Sequence, residues 1–212
     1  MIVTISRAYG AAGLAVADGV ADALGYALLA DDLPKAVGER VGISAEAVSA
    51  IASADRSLPE RLLAGLETGT AEVVSGAAPV LPTDFEESVR VEIERTIRDR
   101  ATGGDVVILG RNAGAVLGAR PDALRVYLTA GRAWRTARLV ASFGQTPAQA
   151  AADMDRIDAA RRRIAKERYD IRLGDARYYD LLLDVSRFGI EGTVALVVAA
   201  VRAAEAEAAE PS

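Results

Sequence analysis

The chain contains no cysteine and no histidine. Thiol chemistry, disulfide cross-links, zinc centres of the Cys/His type and Ser-His-Asp catalysis are therefore excluded. Lysine is scarce: Lys35 and Lys166 are the only examples, so the positive charge is almost all arginine. Arginine presents a planar fork of donors suited to two-point recognition of phosphate and carboxylate. A basic excess is missing too. The net charge is -5, which argues against a general nucleic-acid or membrane-surface binder. There is no charged-then-apolar leader and no apolar run long enough to span a bilayer. The expectation is a cytoplasmic protein with no membrane and no nucleic-acid partner, either a monomer or a homodimer.

What is present is an apolar chain of 212 residues, enough for one α/β domain with a sizeable core. Its organising stretch covers residues 2–25. Ile2, Val3 and Ile5 form a short apolar run. Tyr9, Gly10, Ala11, Ala12 and Gly13 form a turn. Leu14, Ala17, Ala21 and Leu24 then recur at helical spacing, and Gly25 is placed to stop the helix. Strand, glycine turn and helix make the first βα unit of many nucleotide-binding proteins. Small residues let a phosphate approach the backbone, and the helix N-terminus points free N–H groups at it. The same pattern also describes a tight βα turn without a ligand.

Further along, residues 26–29 read as a second strand ending in Asp31 and Asp32. Residues 33–80 read as short helices, one capped by Ser44 and another opened by Leu58-Pro59, with a loop at 76–82. Asp84 is placed to cap a helix with Val89, Ile93 and Ile97 on one face and Arg90 at its edge. Residues 106–109 read as a buried parallel strand that runs into Gly110, Arg111 and Asn112. Residues 124–128 form the next strand, with a helix over 132–142. Thr146-Pro147 starts a helix that turns Met154, Ile157 and Ile164 inward, with Asp155, Asp158, Arg161, Arg162 and Arg163 on its other side. Residues 181–185 form the last strand, and Gly192 opens a C-terminal helix. Strands alternating with helices predict a mostly parallel sheet covered on both faces, with ligands outside the strands' carboxyl ends. Those ends offer Arg7, Arg111 and Arg187, which together favour an anionic ligand.

The segments ISRAYGAAG, VRVEIERTI, VVILGRNAGAVL, DALRVYLTA, DAARRR and YYDLLLDVSRFGIEG, in that order, are similar to the cytidylate kinases, above all to their divergent cytidylate-kinase-like branch. The resemblance covers most of the chain, thinly over residues 33–83. It implies a P-loop nucleoside monophosphate kinase fold: a five-stranded parallel sheet with helices on both faces. It divides the chain into a core (residues 1–30, 101–140 and 175–206), an acceptor-binding insert (31–100), a lid (141–174) and a short tail (207–212). It implies transfer of the ATP γ-phosphoryl group, with Mg²⁺, to a pyrimidine nucleoside monophosphate. Residues 9–13 would be the phosphate loop, with Arg7, Leu14 and Ala15 at its margins. Arg90, Arg111 and Asn112 would hold the acceptor, and Asp32 is placed with them. Asp158, Arg161 and Arg162 would be the catalytic residues of the lid.

The departures from the family pattern bear on activity. In a Walker loop, G-x-x-x-x-G-K-[ST], the lysine reaches the β- and γ-phosphates and the hydroxyl holds Mg²⁺. Laid on residues 8–15, only Gly13 matches; Leu14 stands at the lysine and Ala15 at the hydroxyl. ATP is therefore expected to bind weakly and with little dependence on Mg²⁺. Asn112 stands where the family has an acid, which adds an NH₂ donor and removes a charge. Three functions follow. One is a kinase of a nucleotide or small phosphorylated metabolite. The second is a non-catalytic nucleotide-binding sensor or partner module. The third is an NAD(P)-binding oxidoreductase, from the looser match of Gly10, Gly13 and Ala17 with Asp31 to a dinucleotide fingerprint.

Overall fold

A computed structural model describes residues 1–30, 32–53 and 85–209. Its strands are β1 (Ile2–Arg7), β2 (Ala27–Leu29), β3 (Val106–Leu109), β4 (Ala123–Thr129) and β5 (Leu181–Asp184). The helices are α1 (Gly13–Leu24), α2 (Asp32–Val41), α3 (Ala45–Ser53), α4 (Phe85–Ala101), α5 (Ala113–Leu117), α6 (Arg132–Phe143), α7 (Pro147–Tyr169) and α8 (Val185–Ala209). The strands form one sheet in the order β2-β3-β1-β4-β5, and every pairing is parallel. Ile5 on the central strand pairs with Leu109 on one side and Val126 on the other.

Side-chain alternation builds two cores. Val3, Ile5, Val107, Leu109, Val126 and Leu128 face α1 and α8, where Val16, Val20, Val197 and Val201 meet them. Ile2, Val106 and Ile108 face the opposite way, onto Leu33, Val37, Val48, Val89, Ile93 and Ile97 of α2, α3 and α4. All of β3 is buried, as the run Val-Val-Ile-Leu predicts for a strand covered on both faces. Each such side chain contributes about 1.5–3 kcal/mol by leaving water. A parallel sheet has all its carboxyl ends on one edge, and there the β1–α1 and β3–α5 turns lie side by side.

The five-stranded parallel sheet agrees with the expectation, and so do the stop at Gly25 (φ 71°) and the Thr146-Pro147 start, where Thr146 and Gln149 form a reciprocal capping box. Other readings are corrected. Leu14 lies on the outer side of α1 and is 49% exposed, because the helix's inward stripe is Gly13, Val16, Ala17, Val20 and Ala21. A short helical segment opens at Val185 and is broken at Gly189, whose φ of 70° no helix admits, so the C-terminal helix itself starts just past that break, close to Gly192 as expected. Asp32 opens α2 instead of closing a strand. The dinucleotide-binding reading fails on topology. That fold sets its second strand beside its first, whereas here β3 lies between them. The readings on Asp31, Leu58-Pro59, residues 76–82 and Asp84 lie outside the described residues. Among the described residues no helix is long and apolar enough to cross a membrane.

Candidate active site

The turn after β1 is held by backbone bonds from Ala8 N–H to the Leu128 carbonyl (2.9 Å) and from Ala11 N–H to the Ala8 carbonyl (3.2 Å). It then passes through two left-handed residues, Gly10 (φ 80°) and Ala12 (φ 55°). Ala12 precedes α1 and offers no side-chain cap, and the first turn of α1 carries no acid. The free N–H groups of that turn and the helix dipole therefore make a cradle suited to an anion. Leu14 and Ala15 supply neither an ammonium nor a hydroxyl. The residues of the loop thus fit a phosphate and do not fit a protein-held Mg²⁺.

Arg7, the last residue of β1, runs across this loop. A Cβ at Gly13 would lie 2.8 Å from Arg7 Cδ, and one at Gly110 would collide with Arg7 Nη1. The arginine therefore occupies space that two glycines leave open, between the start of α1 and the end of β3. Its carbonyl accepts a hydrogen bond from Arg161 Nη1 (3.1 Å).

Helix α7 touches the loop with the face read from sequence as its outer side. Asp158 Oδ1 accepts the Tyr9 backbone N–H at 2.8 Å. Its other oxygen accepts from Arg135 Nη1 at 2.7 Å, and the same Nη1 donates to the Tyr9 carbonyl at 3.1 Å. Both backbone groups of Tyr9 are thus tied by one carboxylate–guanidinium pair. Arg161 lies over the Tyr9 ring, 5.9 Å from its centroid. Burial pulls the Arg161 guanidinium below its ordinary range, against the pull of Asp158. Asp158 does not pair with Arg162, one helical turn on. Arg162 is exposed and makes no ion pair or hydrogen bond among the described residues.

The turn after β3 holds three successive left-handed residues, Gly110 (φ 78°), Arg111 (φ 54°) and Asn112 (φ 53°). Two of them carry side chains, and such conformations cluster at functional sites. Arg111 and Asn112 line a shallow, open cavity together with Arg90, Ile93, Arg168 and Tyr169. Arg111 is braced on Ser49 by donating to its carbonyl (3.4 Å) and its Oγ (3.3 Å). Arg90 lies 3.7 Å from Glu86. Arg168 forks onto Glu87 (2.7 and 2.8 Å) and donates to Glu94 at 2.9 Å, joining α7 to α4. The Glu87 bonds hold the Arg168 guanidinium above its ordinary range, and the same bonds hold Glu87 below the usual glutamate range. Tyr169 donates to Glu94 at 2.9 Å, and burial with that bond pushes its hydroxyl up to about 12.

Arg90, Arg111 and Asn112 are thus brought together, while Asp32 is exposed at the start of α2 and is not among the cavity's lining residues. Arg187 is exposed past β5. Arg135, Arg168, Tyr169 and Ser49 were missed from sequence. No local pattern separates Arg135 from its neighbours Arg132 and Arg138, since its partner sits 23 positions on.

The profile of the cytidylate kinase-like family matches residues 2–187. A cytidylate kinase of Halobacterium salinarum (strain ATCC 29341 / DSM 671 / R1) is 30% identical over 117 residues, 55% of this chain. The match spans 60% of the length of that curated relative. Among solved structures, an uncharacterized protein from Eubacterium ventriosum ATCC 27560 superposes with a TM-score of 0.68 at 17% identity, covering 95% of this chain and 98% of that one. A shikimate kinase from Bacteroides thetaiotaomicron gives a TM-score of 0.51 at 14% identity, with coverages of 95% and 98%. A Thermus thermophilus protein gives 0.54 at 18%, covering 96% of each chain. At these identities the likeness to solved structures is one of fold.

Proposed function

The chain belongs to the cytidylate kinase-like family, and from that premise we propose that it is a phosphotransferase, moving the γ-phosphoryl group of ATP to a nucleoside monophosphate or a related small phosphorylated metabolite. One observation carries the reading: two anion-seeking sites abut at Gly110. On one side lies the loop of residues 8–13 with Arg7, whose Nη1 fills the space at Gly110. On the other lies the cavity with Arg90 and Arg111. Phosphoryl transfer asks for a donor and an acceptor held in line, with cations around the moving group and water excluded.

In this reading the N–H groups of Gly10, Ala12 and Gly13 and the first turn of α1 hold the donor phosphates, since those of Ala8, Tyr9 and Ala11 are spent within the protein. Arg90 and Arg111 hold the acceptor's anion, with Asn112 beside it as a hydrogen-bonding group without charge. Helix α7 closes the site, since its Asp158 and Arg161 grip the loop and its Arg168 grips α4. Mg²⁺ would supply charge neutralisation of the donor phosphates, but neither Leu14 nor Ala15 offers it an oxygen.

A specific observation favours a second reading, a nucleotide-binding module without turnover: Leu14 and Ala15 remove two groups that phosphoryl transfer uses elsewhere. Steady-state assays with ATP and a panel of acceptors, CMP and UMP included, separate the two. Acceptor-dependent ADP formation is expected. Calorimetric binding of ATP and a monophosphate without any product would establish the second reading. Binding of neither would end both.

A further inference from the structure

We propose that Arg7 is the cation of the phosphate loop, delivered from the end of β1 to the place that a lysine at position 14 would otherwise serve. The inference rests on the reading of residues 8–13 as the donor site.

Three observations point to Arg7. Its stem is pressed against the start of α1. The Cβ that Gly13 lacks would lie 2.8 Å from Arg7 Cδ and 2.9 Å from Cγ, closer than real Cβ atoms approach. Its head is pressed against the β3–α5 turn, where a Cβ on Gly110 would collide with Nη1. The guanidinium thus has a defined seat, bounded by the uncapped end of α1 on one side and by the turn that presents Arg111 on the other. Its backbone is fixed as well: the Arg7 carbonyl accepts from Arg161 Nη1 at 3.1 Å. The helix that carries Asp158 and Arg161 therefore holds the residue bearing the cation and the loop beneath it as one unit.

Leu14 explains why the charge must come from β1. Position 14 is the second residue of α1, and its side chain is 49% exposed on the helix's outer side. A leucine there contributes nothing to an anion. An arginine entering from β1 reaches the loop from the sheet side and needs room along its path, which Gly13 and Gly110 provide. A planar guanidinium so placed can give two parallel N–H donors to neighbouring phosphate oxygens, where an ammonium would act as a point charge.

The test is calorimetric binding of ATP and of inorganic tripolyphosphate, which carries no base and so reports on the phosphate site alone. The variants are Arg7→Met, Arg7→Lys and the pair Arg7→Met with Leu14→Lys, each checked by circular dichroism. Arg7→Met should weaken both ligands roughly tenfold to a hundredfold, as loss of a charged hydrogen bond does. Arg7→Lys should keep most of the affinity, and Leu14→Lys should restore much of it to Arg7→Met. If Arg7→Met does not fold, Arg7→Gln takes its place: it keeps a polar head without the charge, and it should weaken binding in the same direction. Unchanged affinity in the variant that folds overturns the proposal, as does a loss that neither lysine relieves. No binding of either ligand by the unaltered protein would remove the donor-site reading itself, a separate result from unchanged affinity in the variants.

Discussion

Replacing Asp158 with alanine should lower the melting temperature by about 4–12 °C. The carboxylate is 14% exposed, and it takes the Tyr9 N–H at 2.8 Å and Arg135 Nη1 at 2.7 Å. Its removal leaves a backbone donor unpaired and a guanidinium, 13% exposed, without its counter-charge. Arg135 has little else to turn to, since its Nε has no hydrogen-bond partner among the described residues. Breaking one side of a fully buried pair costs about 3–5 kcal/mol. Residual solvent access here reduces that to about 2–3 kcal/mol, and in a chain of this size each kcal/mol moves the melting temperature by about 2–4 °C. Asp158→Asn keeps an oxygen for the Tyr9 N–H and should lose about half as much. Scanning calorimetry on both variants, with Arg135→Met completing a double-mutant cycle, reads the coupling directly. A melting temperature for Asp158→Ala within a degree of the unaltered protein would refute the reasoning. It would mean that the tie between α7 and the loop carries no stability.

Arg111→Ala should weaken binding of any monophosphate acceptor about tenfold to a hundredfold by calorimetry, because the guanidinium is braced on Ser49 and faces the cavity. Ile97→Ala should destabilise by about 2–5 kcal/mol in urea titrations, since Ile97 is wholly buried between α4 and the sheet, whereas Leu14→Ala should stay within about half a kcal/mol. Glu94 is held below the usual glutamate range despite its burial, by Arg168, Tyr169 and Arg98. Its contribution is complete above the unfolded glutamate value, about pH 4.3. It fades as pH falls below that through the lower native value. Glu94→Gln should therefore reduce the urea midpoint at pH 6 and flatten its fall on acidification; parallel curves for the two proteins would contradict this.

The fold was legible because its signals are local. An unbroken, mostly β-branched apolar run at 106–109, closed by Gly110, fits a strand covered twice, and Thr146-Pro147 with Gln149 carries a complete helix start. The candidate site was legible in part, where a motif sat at a strand end: Arg7 closes β1, and Arg111 and Asn112 come one residue after β3. What stayed hidden depends on pairing between distant positions. Asp158 offered an obvious neighbour in Arg162, one helical turn on, and only the packing of α6 against α7 reveals Arg135 as its partner. Arg168 and Tyr169 carry no local signal, and only the packing of α7 against α4 sets Glu87 and Glu94 opposite them. Leu14 matched helical spacing and is nonetheless outside, because Gly13 and Val16 begin the inward stripe instead.

The left-handed turn at Gly110, Arg111 and Asn112 sets terms for how this chain can change. Asparagine and aspartate are the side chains that tolerate a positive φ best after glycine, so position 112 can pass between amide and acid with its backbone untouched. A β-branched or bulky replacement there would strain the turn and drag Arg111 away from Ser49. The route open to drift is thus narrow in shape and wide in chemistry: one atom changes between NH₂ and O⁻, the frame stays, and the charge met by an acceptor in the cavity is rewritten. On the proposed reading of this cavity as the acceptor site, preference for an acceptor would change by a single substitution, with no refolding to accompany it.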